Sequence, residues 1–280
     1  MKKINGLLFG TAGIPLSTVK PNTINGIIQV KELGLDAMEL EFVHSVFLKE
    51  SSAMEAGLVA DNNDIVLTAH APYYVNLNAV EQEKIEASKH RILQSARMLN
   101  HARGYSVVYH PGYYFKDDHT RVYDKIRKSI VDMERIANDE SLDVWIRPET
   151  TGKQSQFGTL KELLDISQGL EKIMPCIDFA HLHARSNGAY NTIEEFRKVF
   201  GMVEESLGKR GLENMHVHYS GIEYTAKGEK NHLVLEESDF AYKDWVGVLK
   251  EYNISGVFIS ESPNIEGDAV MIKKLYSKIK

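Results

Sequence analysis

Short apolar runs rich in β-branched and aromatic residues recur along the chain, at INGLLFG, DAMELEF, DIVLTAH, YSVVYH, LDVWIRPE, IMPCIDF, NMHVHYS and SGVFISE. Between them lie longer stretches in which apolar residues return at three- and four-residue steps. VEQEKIEASKHRILQSARMLNHA, TRVYDKIRKSIVDMERIAND, TIEEFRKVFGMVEESLGK and YKDWVGVLKEY are examples. The first pattern predicts buried strands and the second amphipathic helices. Strands alternating with helices predict βα units around a parallel sheet. Eight such units in 280 residues, with no Pro/Ser-rich linker, predict an α/β fold of one domain over residues 1–280, a closed (β/α)8 TIM barrel. The first βα turn, FGTAGIP, lacks the glycine spacing of a dinucleotide fingerprint, which disfavours a doubly wound sheet.

Composition narrows the picture further. With 43% hydrophobic residues and a net charge of −6, the chain can bury a large core and carries no global basic field. A local cluster of cations could still supply positive potential in a groove. Its single cysteine, Cys176, rules out an internal disulfide framework and fits a reducing compartment. The opening MKKINGLLFGTAG has a short, glycine-broken apolar run, better read as a first strand than as a signal peptide. No run is long enough to span a membrane, so a cytoplasmic protein is expected.

In a barrel of this kind chemistry gathers where the strands finish. There DIVLTAH ends at His70, YSVVYH at His110, LDVWIRPE at Glu149 and SGVFISE at Glu261. IMPCID ends at Asp178, with His181 and His183 just beyond; NMHVH carries His216 and His218, and His232 lies in the long loop that follows. Any one of these could be an ordinary hydrogen-bonded residue. Together they would crowd several carboxylates at one rim, where without a cation their pKa values would be forced upward. Imidazole plus carboxylate suits zinc or manganese, and the supply of donors is enough for two or three ions. His44, His90, His101 and His119 fall on helices or loops and are expected to pack or face solvent.

With these residues in view, the chain resembles the endonuclease IV family of apurinic/apyrimidinic (AP) endonucleases. The motifs that carry the likeness are HAPYYVNL, YHPG, PETTG, CIDFAH, MHVHYS, NHL and SESPN, spread in order through nearly the whole chain. The resemblance implies a (β/α)8 barrel with zinc ions, cleaving double-stranded DNA 5′ to an abasic site by attack of a metal-activated hydroxide on phosphorus. It implies that His70, His110 and Glu149 hold a first ion. Glu149 then bridges to a second, completed by Asp178, His216 and Glu261, and His181 with His232 holds a third. Glu149 would also steer the hydroxide, and Tyr73 would lie along the DNA near the flipped nucleotide. Manganese in place of zinc, and a monomeric enzyme, are compatible with this reading.

Two departures stand out. The family's third site pairs an aspartate with a histidine two residues later, whereas here Lys230 precedes His232 by two. Glu229, His183 and His218 are the candidate replacements. The loop after the second strand carries Glu39 and Glu41 in MELEFVHSVF, where DNA-penetrating Arg and Gln are expected. That feature resembles sugar isomerases and epimerases of the same fold, which need one ion. Glu149, Asp178, His216 and Glu261 could supply it, with the acids also moving protons. Lys227, Lys230, Arg185 and Arg147 are the cations available near a DNA backbone.

Overall fold

Each apolar run forms a strand, and each period-3.6 stretch covers it from outside. The computed structural model describes residues 1–279. In chain order the elements begin with β1 (Leu7–Ala12), α1 (Thr23–Glu32), β2 (Ala37–Glu41), α2 (Glu50–Asn62), β3 (Val66–His70) and α3 (Gln82–His101). They continue with β4 (Ser106–Tyr109), β5 (Gly112–Tyr113), α4 (His119–Asp139), β6 (Trp145–Pro148), β7 (Gln156–Phe157) and α5 (Leu160–Ser167). The remainder is β8 (Ile177–Asp178), α6 (Phe179–Arg185), α7 (Ile193–Leu212), β9 (Met215–Tyr219), β10 (Gly221–Thr225), β11 (Gly228–Leu233), α8 (Tyr242–Leu249), β12 (Gly256–Ser260) and α9 (Glu266–Lys278).

Eight strands pair in parallel in the order β6-β4-β3-β2-β1-β12-β9-β8. Isolated parallel bridges Ile146↔Ile173 and Glu149↔Cys176 join the two ends, so the sheet closes on itself. The strand expected over IMPCIDF is regular only at Ile177–Asp178. Pro175 has no N–H to give the ladder, which leaves single bridges at Ile173 and Cys176 on either side of it.

Period-two alternation divides the strands between two cores. Outward residues such as Met38, Leu40, Val107 and Phe258 join the large apolar layer under the helices. That layer is met by faces such as Val122, Ile126, Ile130, Met133 and Ala137 of α4, whose start is capped by Asp118. Inward residues Ala37, Val66, Trp145 and Val257 plug the amino end of the barrel with Ile4, Tyr105 and Met174. Above this plug the inward positions turn polar, as Glu39, Thr68, Ser106 and His216, all fully buried.

Two antiparallel ribbons, β5–β7 and β10–β11, rise from the carboxyl end. The segment containing His232, expected as a loop, is the second strand of the β10–β11 hairpin. The two ribbons are tied together: Gly228 bridges Lys153, and the Glu229 N–H donates to the Gly152 carbonyl at 2.9 Å. Gly228 has φ +95°, and a Cβ there would stand 2.3 Å from the Gly152 oxygen, so only glycine allows this approach. No helix among the described residues is long and apolar enough to cross a membrane.

Candidate metal centre

The segment PCIDFAHLHARS crowds its donors because a strand passes straight into a helix there. β8 ends at Asp178 and α6 begins at Phe179. Asp178 is therefore the helix N-cap, and its Oδ1 accepts the His181 N–H at 2.8 Å. Its other oxygen, Oδ2, is buried with no hydrogen-bond partner. The cap thus fixes the carboxylate and leaves one oxygen aimed into the barrel mouth, 3.3 Å from His181 Nδ1.

Glu149 stands at the centre. Its Oε2 lies 3.2 Å from His70 Nε2 and 2.9 Å from His110 Nε2. Its Oε1 lies 3.4 Å from His181 Nδ1 and 3.1 Å from His218 Nδ1. Burial alone would raise this carboxyl, but the facing imidazoles hold it well below the usual range. Glu261 is driven the other way, because burial and the facing carboxylates Glu149 and Asp178 push it well up, against the pull of His218. For His70 burial favours the neutral ring, yet the bond to Glu149 raises its pKa to about 9. Protons shared among these groups do the work that a cation would do better.

The imidazoles are oriented as ligands are. His70 Nδ1 lies 2.8 Å from the Ala71 carbonyl, His181 Nδ1 lies 2.9 Å from that of Thr150, and His232 Nδ1 lies 3.1 Å from that of Glu261. A carbonyl only accepts, so each Nδ1 carries a proton and each Nε2 is turned to the mouth of the barrel, where a bound cation would take the place of any second proton. Backbone anchoring of the far nitrogen is the usual support of a metal-bound histidine. Three donor groups converge within 4.8 Å: His70, His110 and Glu149; Glu149, Asp178, His218 and Glu261; and His181, His232 and Glu261. Nitrogen and carboxylate oxygen in such sets suit zinc or manganese.

Of the expected ligands, His70, His110, Glu149, Asp178, His181, His232 and Glu261 meet at this rim; His216 does not. Both His216 and His218 point inward, as i and i+2 residues must, but His216 sits one inward position deeper and only His218 reaches Glu149 and Asp178. Strand alternation identifies the face, and the depth at which β9 ends decides which histidine stands at the rim.

The hairpin resolves the Lys230 question. The β10–β11 register shifts so that Glu223 faces Asn231 and Tyr224 faces Glu229. Lys230 is the unpaired extra residue of a β-bulge, and its Nζ points outward to Glu223 at 2.6 Å. The bulge lets Glu229 and His232, three apart, share a face, and Glu229 Oε2 lies 3.6 Å from His181 Nε2. Gly152 makes room for it, since a Cβ there would fall 2.6 Å from that oxygen. Glu229 therefore stands beside His181, while the donor group itself is His181, His232 and Glu261.

His183 turns away from the rim, its Nε2 3.0 Å from Asp239 and its Nδ1 donating to the Ala189 carbonyl. Arg147 is buried at the other end, donating to the Pro175 and Asn214 carbonyls, and cannot reach a DNA backbone. Arg185 holds the PETTG loop through Thr151 and Lys153. Tyr73 is 57% exposed, its ring 5.5 Å from that of His70. Glu39 and Glu41 point into the barrel from β2. Burial, the charge of Glu39 and that of Glu149 raise Glu41 to about 7.

Fold and site together define a (β/α)8 barrel whose rim gathers several imidazole and carboxylate donors. The sequence family described as Xylose isomerase-like TIM barrel matches residues 27–275, and the chain belongs to it. An uncharacterized protein of Methanocaldococcus jannaschii is 44% identical over 98% of both chains. A probable endonuclease 4 of Methanosphaera stadtmanae is 26% identical over 68% of this chain and 73% of its own. Among solved structures, endonuclease IV from Thermus thermophilus superposes with a TM-score of 0.72 at 18% identity, covering 95% of this chain and 97% of that one. A D-tagatose 3-epimerase-like protein gives a TM-score of 0.72 at 20% identity, covering 96% of each. Likeness at those identities speaks for the fold alone.

Proposed function

We propose that this chain is a metal-dependent phosphodiester hydrolase that cuts double-stranded DNA on the 5′ side of an abasic site. The observation that carries the reading is the excess of converging donors. His70, His110, His181 and His232 stand beside the set of two Glu, one Asp and one His that a single ion requires. Supported as above, His70, His110 and Glu149 would hold one ion, and Glu149, Asp178, His218 and Glu261 a second. His181 and His232 with Glu261, and Glu229 beside them, would hold a third. Bound divalent ions lower the pKa of water and neutralise charge gathering on a phosphate in flight.

The protein's own contribution is placement. Glu149 is ionised and faces imidazoles on both sides, so its oxygens are shared between two donor sets and available to orient a nucleophilic water. Asp178 keeps one oxygen free because its helix cap fixes the other. Tyr73, exposed beside His70, would border the sugar of an extruded nucleotide. An abasic nucleotide has no base stacking to lose, so turning it out is less costly than flipping an intact one.

A labelled duplex with one abasic analogue, incubated with and without chelator alongside elemental analysis, tests this reading. Cutting confined to the 5′ side with two or three ions per chain at the rim supports it. No cutting, with one ion per chain at the rim, overturns it in favour of a sugar epimerase. Glu39 and Glu41 at the end of β2 favour that second reading, in which Glu149 and Glu261 would pass the proton.

A further inference from the structure

One layer below the rim lies a second convergence of donors, of which the proposed hydrolase uses only His218. Glu39 of β2, Cys176 just before β8, and His216 and His218 of β9 are all completely buried. His218 Nε2 lies 3.0 Å from Glu39 Oε1, His216 Nε2 lies 3.3 Å from Glu39 Oε2, and the two Nε2 atoms are 3.2 Å apart. The Cys176 sulfur and these two histidines have donor atoms within 4.8 Å of one another. Ligands about 2.0–2.2 Å from a tetrahedral zinc stand roughly 3.3 Å from each other, which is the spacing of the nitrogen and oxygen atoms here.

The remote atoms of these side chains are tied down. Ser106 Oγ is 2.7 Å from His216 Nδ1, and the Thr68 hydroxyl donates to Glu39 Oε2 at 2.7 Å. His218 turns its Nδ1 to Glu149 at 3.1 Å. Anchoring the far side of each donor is what supports a metal ligand. Hydrogen bonding alone completes the cluster poorly. Two nitrogens 3.2 Å apart can share one proton between them, so the two oxygens of Glu39 that face them cannot both be served without setting two N–H groups against each other. An unpartnered carboxylate oxygen in a dry core is costly.

We propose that Glu39, Cys176, His216 and His218 form an inner cation site that takes a borderline-soft divalent ion of the zinc type. β2 and β9 are separated in the sheet by β1 and β12, so the ion clamps opposite walls of the barrel. His218 faces both layers, Nδ1 to the rim and Nε2 to the inner ion; with ions on both sides its ring would be a bridging imidazolate, its N–H proton released to solvent, and the inner site would also set the orientation of a rim donor.

Cys176 is the only cysteine of the chain, and the rim offers only nitrogen and oxygen. A thiolate signal therefore reports the inner site alone, whatever reaction the rim performs. Cobalt(II) titrated into the metal-stripped full chain should give a near-ultraviolet thiolate-to-cobalt band. Cys176→Ala should abolish the band while the visible absorption of the rim cobalt remains. Cys176→Ala and His216→Gln should each lower the metal content by about one ion per chain, with circular dichroism confirming that they fold. Cobalt bound without a thiolate band in the wild-type chain, or no cobalt bound, overturns the proposal and leaves a hydrogen-bonded core. The wild-type spectrum decides even if a variant fails to fold.

Discussion

At the scale of single residues, Glu149 and Glu41 show how the same carboxyl group takes opposite roles a few ångströms apart. Glu149 is kept ionised by the imidazoles around it. Glu149→Gln keeps the shape, removes the charge and takes a donor from two groups at once. Steady-state cleavage should fall by roughly 10²–10⁴-fold, and elemental analysis should show lost metal; an unchanged metal content would point to a role outside the donor set. Glu41 is raised to about 7 by burial and by Glu39. A carboxyl whose folded pKa lies above its unfolded one binds its proton more tightly when folded. The stability it lends is full below about pH 4.5 and is lost as the pH climbs toward 7. Glu41→Gln should therefore stabilise the metal-free protein above pH 7 by about 1–3 kcal/mol, with no gain near pH 4, as urea melts at the two pH values would reveal. Neither residue's state could be read from MELEF or RPE, because the sequence shows a carboxylate at a strand end and not which charges face it.

At the scale of elements, the β10–β11 hairpin carries the part of the site least visible in the sequence. NHL was legible as a ligand motif, and Glu229 as a candidate, but the lysine between them argued against a shared face. Strand periodicity would place Lys230 beside His232, and the bulge at Glu223/Tyr224 removes it from the count. Bulges leave no fixed signature in side-chain pattern. Deleting Lys230 should restore a regular ladder with glutamate and histidine two apart, so metal content should survive the deletion and fall in Glu229→Ala. Equal losses in both would show that the bulge itself, rather than the face it creates, is needed. Gly152→Ala is the sharper probe from the opposing ribbon. Its Cβ would overlap the Glu229 carboxylate, so it should weaken the third donor group while sparing metal held by His70, His110 and Glu149. By contrast the eight barrel strands were legible from apolar runs alone, since each must be buried on both faces. IMPCIDF was the exception in detail, because Pro175 breaks the ladder that its apolar run promised.

At the scale of the whole molecule, barrel closure turns a linear list of strand ends into a ring, and that is why most of the rim could be foreseen. Seven of the eight expected ligands converge because a parallel barrel brings all its carboxyl ends to one face. The eighth, His216, fell one layer short, since a sequence fixes the inward face of β9 but not the height at which β9 stops. Arg147 was lost to the opposite end for the same reason, lying two residues before Glu149 and one layer down. Its absence from the rim bears on how DNA could be held. With a net charge of −6, the chain as a whole repels a duplex, so under the proposed reading attraction would have to come from ions at the rim and exposed cations on the two ribbons. Lys153 and Lys227 are exposed and flank the Lys153–Gly228 bridge where the ribbons meet. If a duplex lies across that junction, each lysine releases about one phosphate counterion, and log affinity falls with log salt at a slope of about −0.9 per contact. The double variant Lys153→Ala with Lys227→Ala should flatten that slope by about 2, while cleavage at saturating duplex in low salt stays close to wild type. Fluorescence anisotropy of an abasic duplex across a salt series measures both. A slope unchanged by the double variant would show that the DNA path does not cross the junction of the two ribbons.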